Sequence, residues 1–110
     1  MQSGERIISS VTFETTNKAA PEIIAKLTST LRDRLSVMRG FRESVLTINE
    51  AGNRVVIATE WISREDWAAA EWDQVVQHTV VEIFEATKSY EVEILYPLLR
   101  LTAAGQDEAP

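Results

Sequence analysis

The sequence contains no cysteine, which removes disulfides, thiolate nucleophiles and Cys-based zinc or iron–sulfur sites from its chemistry. A reducing cytoplasm suits such a chain and is its expected location. There is a single histidine, His78, and the glycines Gly4, Gly40, Gly52 and Gly105 are scattered. Neither a serine–histidine–acid triad, an HExxH metal site nor a phosphate-cradling loop can be assembled from them. Basic residues are also few: 11 Lys and Arg against 17 Asp and Glu give a net charge of −6, which disfavours nucleic acid and anionic membrane as partners. Long apolar runs are missing too. The longest aliphatic stretch is Val55 to Ala58, and the polar start Met1 to Arg6 is followed by no run of signal-peptide length. The expectation is a chain that neither spans a membrane nor is exported by that route.

What is present suits one small domain. With 110 residues, 45% of them hydrophobic, the chain can bury one modest core, assigned to residues 1–101, with an unstructured acidic tail over 102–110. Ile7, Val11 and Phe13 alternate with Ser10, Thr12 and Glu14, the period of a half-buried strand. Pro21 suits the first turn of a helix whose apolar stripe is Ile24, Leu27, Leu31, Leu35 and Met38, with Gly40 as a left-handed stop. Phe41 to Asn49 and Arg54 to Trp61 read as two strands of a hairpin joined through Gly52.

Ser63 then caps a second helix, with Asp66 placed to reach back to the free backbone N–H. That helix continues through Trp67 and Ala70, breaks near Asp73 and resumes with the stripe Val76, Val80, Ile83, Phe84 and Thr87. Tyr90 to Leu98 is the fourth strand. The order βαββαβ predicts an α+β, ferredoxin-like split βαβ fold, in which helices cover one face of a four-stranded antiparallel sheet.

The other face stays open. It would carry Ile8, Leu46, Ile48, Val56, Ala58 and Leu95 among Ser10, Ser44 and Glu60, or the complementary set with Val55, Ile57 and Trp61. Either set is too apolar for water, so a homodimer paired through the open sheet faces is expected, closing a dimeric α+β barrel.

Gly40-Phe41, Ser44, Gly52, Val55-Val56, Trp61, Ser63 and Trp67 resemble the antibiotic biosynthesis monooxygenase domain, a dimeric α+β barrel. The resemblance spans all four strands and implies a small-molecule monooxygenase, with no cofactor and no metal, acting on an aromatic polyketide-like or quinol-like substrate. It also admits two alternatives: a non-catalytic ligand-binding or assembly protein, and a haem-binding or haem-degrading protein. In the polyketide oxygenases an asparagine lies four residues before the tryptophan that Trp61 matches; Ile57 holds that position here. Their aromatic after the strand–helix junction is matched by Trp67. The haem-degrading branch pairs a helical tryptophan, here Trp67 or Trp72, with a histidine, here His78, but its strand-one asparagine has no counterpart between Arg6 and Phe13.

The candidate catalytic set is therefore Trp61, Trp67, Glu60 and His78. The tryptophans would hold a ring, and Glu60 or His78 would take a proton. Trp72, Ile57, Phe84 and Tyr96 are the expected substrate contacts. Each has a plainer reading. Trp61 suits core packing, Glu60 an ion pair with Arg42 or Arg54, and Tyr96 a hydrogen-bonded rim. By helical periodicity His78 falls opposite the apolar stripe, in solvent.

Overall fold

The computed structural model describes residues 6–103. The polar start up to Glu5 and the expected acidic tail from residue 104 lie outside the described residues. Strand β1 (Ile7–Glu14) is followed by helix α1 (Ala20–Asp33) and a 3-10 turn, Leu35–Val37. The hairpin β2 (Phe41–Ile48) and β3 (Arg54–Trp61) comes next, then helices α2 (Arg64–Glu71) and α3 (Gln74–Phe84), and last β4 (Ser89–Leu95). The strands form one antiparallel sheet in the order β2-β3-β1-β4, the ferredoxin-like arrangement. No helix among the described residues is long and apolar enough to cross a membrane.

Local chemistry sets most boundaries. Pro21 lies in the first turn of α1, where its missing N–H costs nothing. In the hairpin, Asn49 Oδ1 accepts from the backbone N–H groups of Asn53 and Arg54 at 3.0 and 2.9 Å, and Gly52 takes φ +76°. Asn49 thus organises the turn and does not extend β2. Gly40 takes φ +84°, but it follows the 3-10 turn and leads into β2, so it does not end α1. A Cβ there would lie 2.2 Å from the Asp66 carboxylate, so any larger residue is excluded.

Ser63 caps α2 by accepting from Asp66 N–H. The return bond differs from the expected capping box: the Asp66 carboxylate takes the Ser63 hydroxyl at 3.0 Å in place of a backbone N–H. The break near Asp73 makes two helices of the expected one. Asp73 Oδ1 accepts from the N–H groups of Val75 and Val76, starting α3 afresh, and its other oxygen pairs with Arg34 at the end of α1.

The helices bury one face of the sheet in two clusters. Phe13, Val55 and Ile57 pack with Ile23 and Leu27 of α1 and Ile83 of α3. Ile7 and Trp61 pack with Ala70 of α2, edged by Phe41, Trp67 and Ile94. Trp61, Ile7, Ile23, Ile83 and Val55 are almost wholly enclosed, each side chain contributing about 1.5–3 kcal/mol through burial.

The open face is not the set expected. Phe41 pairs with Trp61, but Glu43 pairs with Glu60, so a bulge at Arg42 inserts one residue into β2. Cross-strand partners share a face, and a one-residue slip moves every later side chain to the other one. Ser44, Leu46 and Ile48 consequently join Thr59, Ile57 and Val55 under the helices, while Glu43, Val45 and Thr47 join Glu60, Ala58 and Val56 on the open face. With Ile8, Ser10, Thr12, Glu91, Glu93 and Leu95, that face is more polar than the sequence pattern indicates.

Candidate functional site

Where the two core clusters part, the helix layer stands off the sheet and leaves a cavity of about 420 Å³, within the usual range for a small-molecule site. Its floor is the inward row of β1 and β3: Ser9, Val11, Ile57, Thr59 and Trp61. Leu27, Thr30 and Leu31 of α1, Trp67 and Ala70 of α2, and Val76, Thr79 and Val80 of α3 form the walls. Small Ala70, 5% exposed, makes room for the Trp67 ring beside it. The break at Asp73 matters because a single straight helix could not turn both Ala70 and Val76 to one space. Exposed lining residues Glu71, Gln77, Val81, Tyr90 and Val92 mark the mouth, beside the edge strand β4.

Polar groups in the lining are few and mostly hydroxyls. Thr59 Oγ1 lies 2.9 Å from Ser44 Oγ, and Thr30 Oγ1 lies 3.0 Å from Thr79 Oγ1, tying α1 to α3. Ser9 is the cross-strand partner of Thr59 and is equally enclosed. Glu71 is the one carboxylate among the described lining residues. Trp67 is steadied from outside: the Arg64 guanidinium sits 5.7 Å from its ring centroid, a cation–π contact, and donates to Tyr96 Oη at 2.9 Å.

The sequence-derived candidates divide sharply. Trp61, Trp67 and Ile57 line the cavity. Trp61 is at once core and floor, edge-on to Phe41 at 5.7 Å. Glu60 does not reach the cavity: its pleat turns it to the open face, where it is 6% exposed and held by Arg6 at 3.4 Å and by Arg100. Its ion-pair partners are these two, not the Arg42 or Arg54 expected; Arg54 instead meets Glu14 at 2.8 Å. His78 lies on the outer side of α3 with its side chain 79% exposed, 3.4 Å from Glu82 one turn on, as its helical phase requires. Trp72, 78% exposed, projects from the end of α2 into solvent. Phe84 is not among the lining residues and packs, tilted, against Tyr90 at the mouth with ring centroids 4.4 Å apart, and Tyr96 is also outside the lining, packed against the Trp61 cluster and bonded to Arg64.

Haem does not fit these residues. Its expected imidazole ligand points away from the cavity, and no group of three or more His, Asp or Glu side chains among the described residues is arranged to hold a metal. Ser9 and Thr59 escaped the sequence reading although a signal existed. Each is a hydroxyl residue at an inward position of an otherwise apolar alternation, Ile7-Ser9-Val11-Phe13 and Val55-Ile57-Thr59-Trp61.

No protein-family model matches the sequence. No curated protein matches it either. Solved structures do match in fold. A Mycobacterium tuberculosis protein, Rv0793, superposes with TM-score 0.79 at 16% identity, over 89% of this chain and 100% of the other. A Nitrosomonas europaea protein assigned to the antibiotic biosynthesis monooxygenases gives 0.78 at 11% identity, over 89% and 94%. SnoaB of Streptomyces nogalater, described as a cofactor-independent oxygenase, gives 0.68 at 12% identity, over 91% and 98%. At such identities the shared property is the fold, and chemistry has to be argued from the cavity itself.

Proposed function

We propose that this chain binds a flat, electron-rich aromatic molecule in the cavity and oxygenates it without an organic cofactor or metal. The observation that carries the reading is the pairing of Trp61 and Trp67 around an apolar space of about 420 Å³. Half-buried Trp67 offers ring surface to a planar ligand while enclosed Trp61 backs the floor, and the substrate enters neutral, its anion forming only as the proton leaves and then meeting oxygen between apolar walls. Conversion of an anthrone methylene to a carbonyl takes four electrons, all from the substrate. One oxygen atom of O₂ enters the product and the other leaves as water, so no external reductant is consumed. Glu71 takes the place expected for Glu60 or His78 as the proton acceptor, being the carboxylate in the lining. Oxygen uptake with a panel of anthrones and hydroquinones tests this. Turnover that falls about a hundredfold in Glu71→Gln supports it, and no uptake with any member refutes it.

A second reading, ligand binding without turnover, is favoured by the floor, where none of the described lining residues beside Trp61 is ionisable. Binding of the same panel with no oxygen consumed would establish it.

The active species in this reading is a homodimer. Val45 and Leu95 are 51% and 41% exposed on the open sheet face, beside Ile8, Val56 and Ala58. Pairing two such faces buries area on the order of 1,600 Å², enough for a stable pair. Light scattering should give twice the 12.4 kDa chain mass; a monomer at micromolar concentration would overturn it.

A further inference from the structure

The floor of the cavity carries two hydroxyls, Ser9 and Thr59, that the aromatic reading leaves unused, and Ser44 stands behind Thr59 outside the lining. Ser9, Thr59 and Ser44 lie side by side across three strands, on the helix-facing side of the sheet. Ser44 is there only because the Arg42 bulge moved it from the open face. Thr59 Oγ1 and Ser44 Oγ share one hydrogen bond. Ser9 is 7% exposed and lines the cavity, and since no fully enclosed side-chain polar atom among the described residues lacks a partner, its hydroxyl, which bonds to none of those residues, opens onto the cavity. A ligand that covers this hydroxyl without bonding to it would lose about 1–3 kcal/mol.

The charge around it says what that something is. Among the described residues no Lys, Arg or His lines the cavity, and Glu71 stands at its mouth. A carboxylate, sulfonate or phosphate at the floor would lose its water and gain only neutral hydroxyls, which is unfavourable by several kcal/mol. A ketone or phenol loses far less. Each hydroxyl offers one donor and two acceptor sites, so the Ser9–Thr59 pair can donate to a carbonyl or accept from a phenol. A plain hydrocarbon of the same shape would shut solvent away from Ser9 and offer its hydroxyl no bond in return.

We propose that the Ser9–Thr59–Ser44 row is a selectivity element that admits neutral oxygenated aromatics, ketone or phenol end first, and rejects anionic aromatics of the same size. The proposal rests on the cavity being the ligand site and names the polar half of what it takes.

Calorimetric titration of the full chain with 1-tetralone, 2-naphthol, 2-naphthoate and naphthalene at pH 7 tests it. Tetralone and naphthol should bind at least tenfold more tightly than naphthoate. Ser9→Ala and Thr59→Val should each weaken tetralone about five- to tenfold and leave naphthalene unchanged or tighter. Ser10→Ala, on the opposite face, should change nothing. Circular dichroism confirms that each variant is folded, and Thr59→Val keeps the side-chain shape should Ser9→Ala disturb the strand. Equal or tighter binding of naphthoate, or tetralone affinity unmoved in both hydroxyl variants, overturns the selectivity element while leaving the cavity reading intact. Failure of all four probes to bind, with Trp67→Ala indistinguishable from the parent, overturns both.

Discussion

The two faces of this sheet are built from alternate residues of the same strands, yet they solve opposite problems. On the helix side, Ile7, Phe13, Val55, Ile57 and Trp61 exclude water, and the polar atoms admitted among them are neutral hydroxyls. On the open side a carboxylate, Glu60, is almost as deeply enclosed as Trp61, one residue away. It remains there because Arg6 and Arg100 supply two guanidinium groups, and Arg100 also reaches neighbouring Glu43 at 3.9 Å. A neutral dipole can wait in an apolar wall for a ligand. A charge cannot, and it brings its counter-ions from outside the sheet.

Hollowing each face in turn tests that contrast most severely. Trp61→Ala removes a ring that belongs to the core and to the cavity floor, and should cost about 3–5 kcal/mol in urea unfolding. On the other face, the double variant Arg6→Ala, Arg100→Ala leaves the Glu60 carboxylate enclosed and unpaired. Both arginine side chains are about half exposed, at 50% and 58%, so solvent already weakens the pairs. The expected loss is about 2 kcal/mol, smaller than a fully buried pair would give. If the arginine variant proved the costlier of the two, ion pairing and not the indole would dominate the stability of this end of the sheet.

The same contrast separates what can be read along a chain from what cannot. Signals local in the sequence are legible directly. Ser63 as a cap, the hairpin turn through Gly52, the helix break at Asp73 and the outward phase of His78 each depend on a handful of adjacent residues. The bulge at Arg42 is not legible, because it is a relation between β2 and β3 with no glycine or proline to mark it. Without it Ser44, Leu46 and Ile48 fall on the open face, as an uninterrupted register requires. The same limit explains Glu60. Its pleat is evident from its neighbour Trp61, but its partner Arg100 comes from 40 residues further along, beyond the end of β4. Trp72 looks equivalent to Trp67 for a related reason: which side of α2 meets the sheet is decided by Ala70, and Trp72 lies past that turn.

A milder perturbation separates cavity from core. Trp67 is half-buried and packs at the edge of its cluster, so Trp67→Ala should cost at most about 2 kcal/mol while weakening aromatic probes about tenfold. Arg64→Ala, which frees the ring from its guanidinium and from the tie to Tyr96, should reproduce part of the binding loss with stability nearly unchanged. Equal effects of Trp67→Ala on stability and on binding would mean that the ring is only core.

The smallest effect expected is in acid, and it arises away from both faces. The Arg34 guanidinium holds the Asp73 carboxyl below its ordinary value of 3.8, helped by the N–H groups of Val76 and Val75. Arg54 and Ser89 likewise hold Glu14 below 4.5. Both groups bind a proton less readily folded than unfolded, so their contribution to stability is present above these ordinary values and is lost as the pH falls through the lowered ones. Unfolding free energy should therefore decline from about pH 4.5 downward. Asp73→Asn keeps a side-chain oxygen able to cap α3 but loses the charge that Arg34 pairs with. Its stability should fall less steeply with acid than the parent's, and Glu14→Gln should remove the remaining part attributed to that pair. An unchanged slope in the two variants combined would place the acid sensitivity elsewhere.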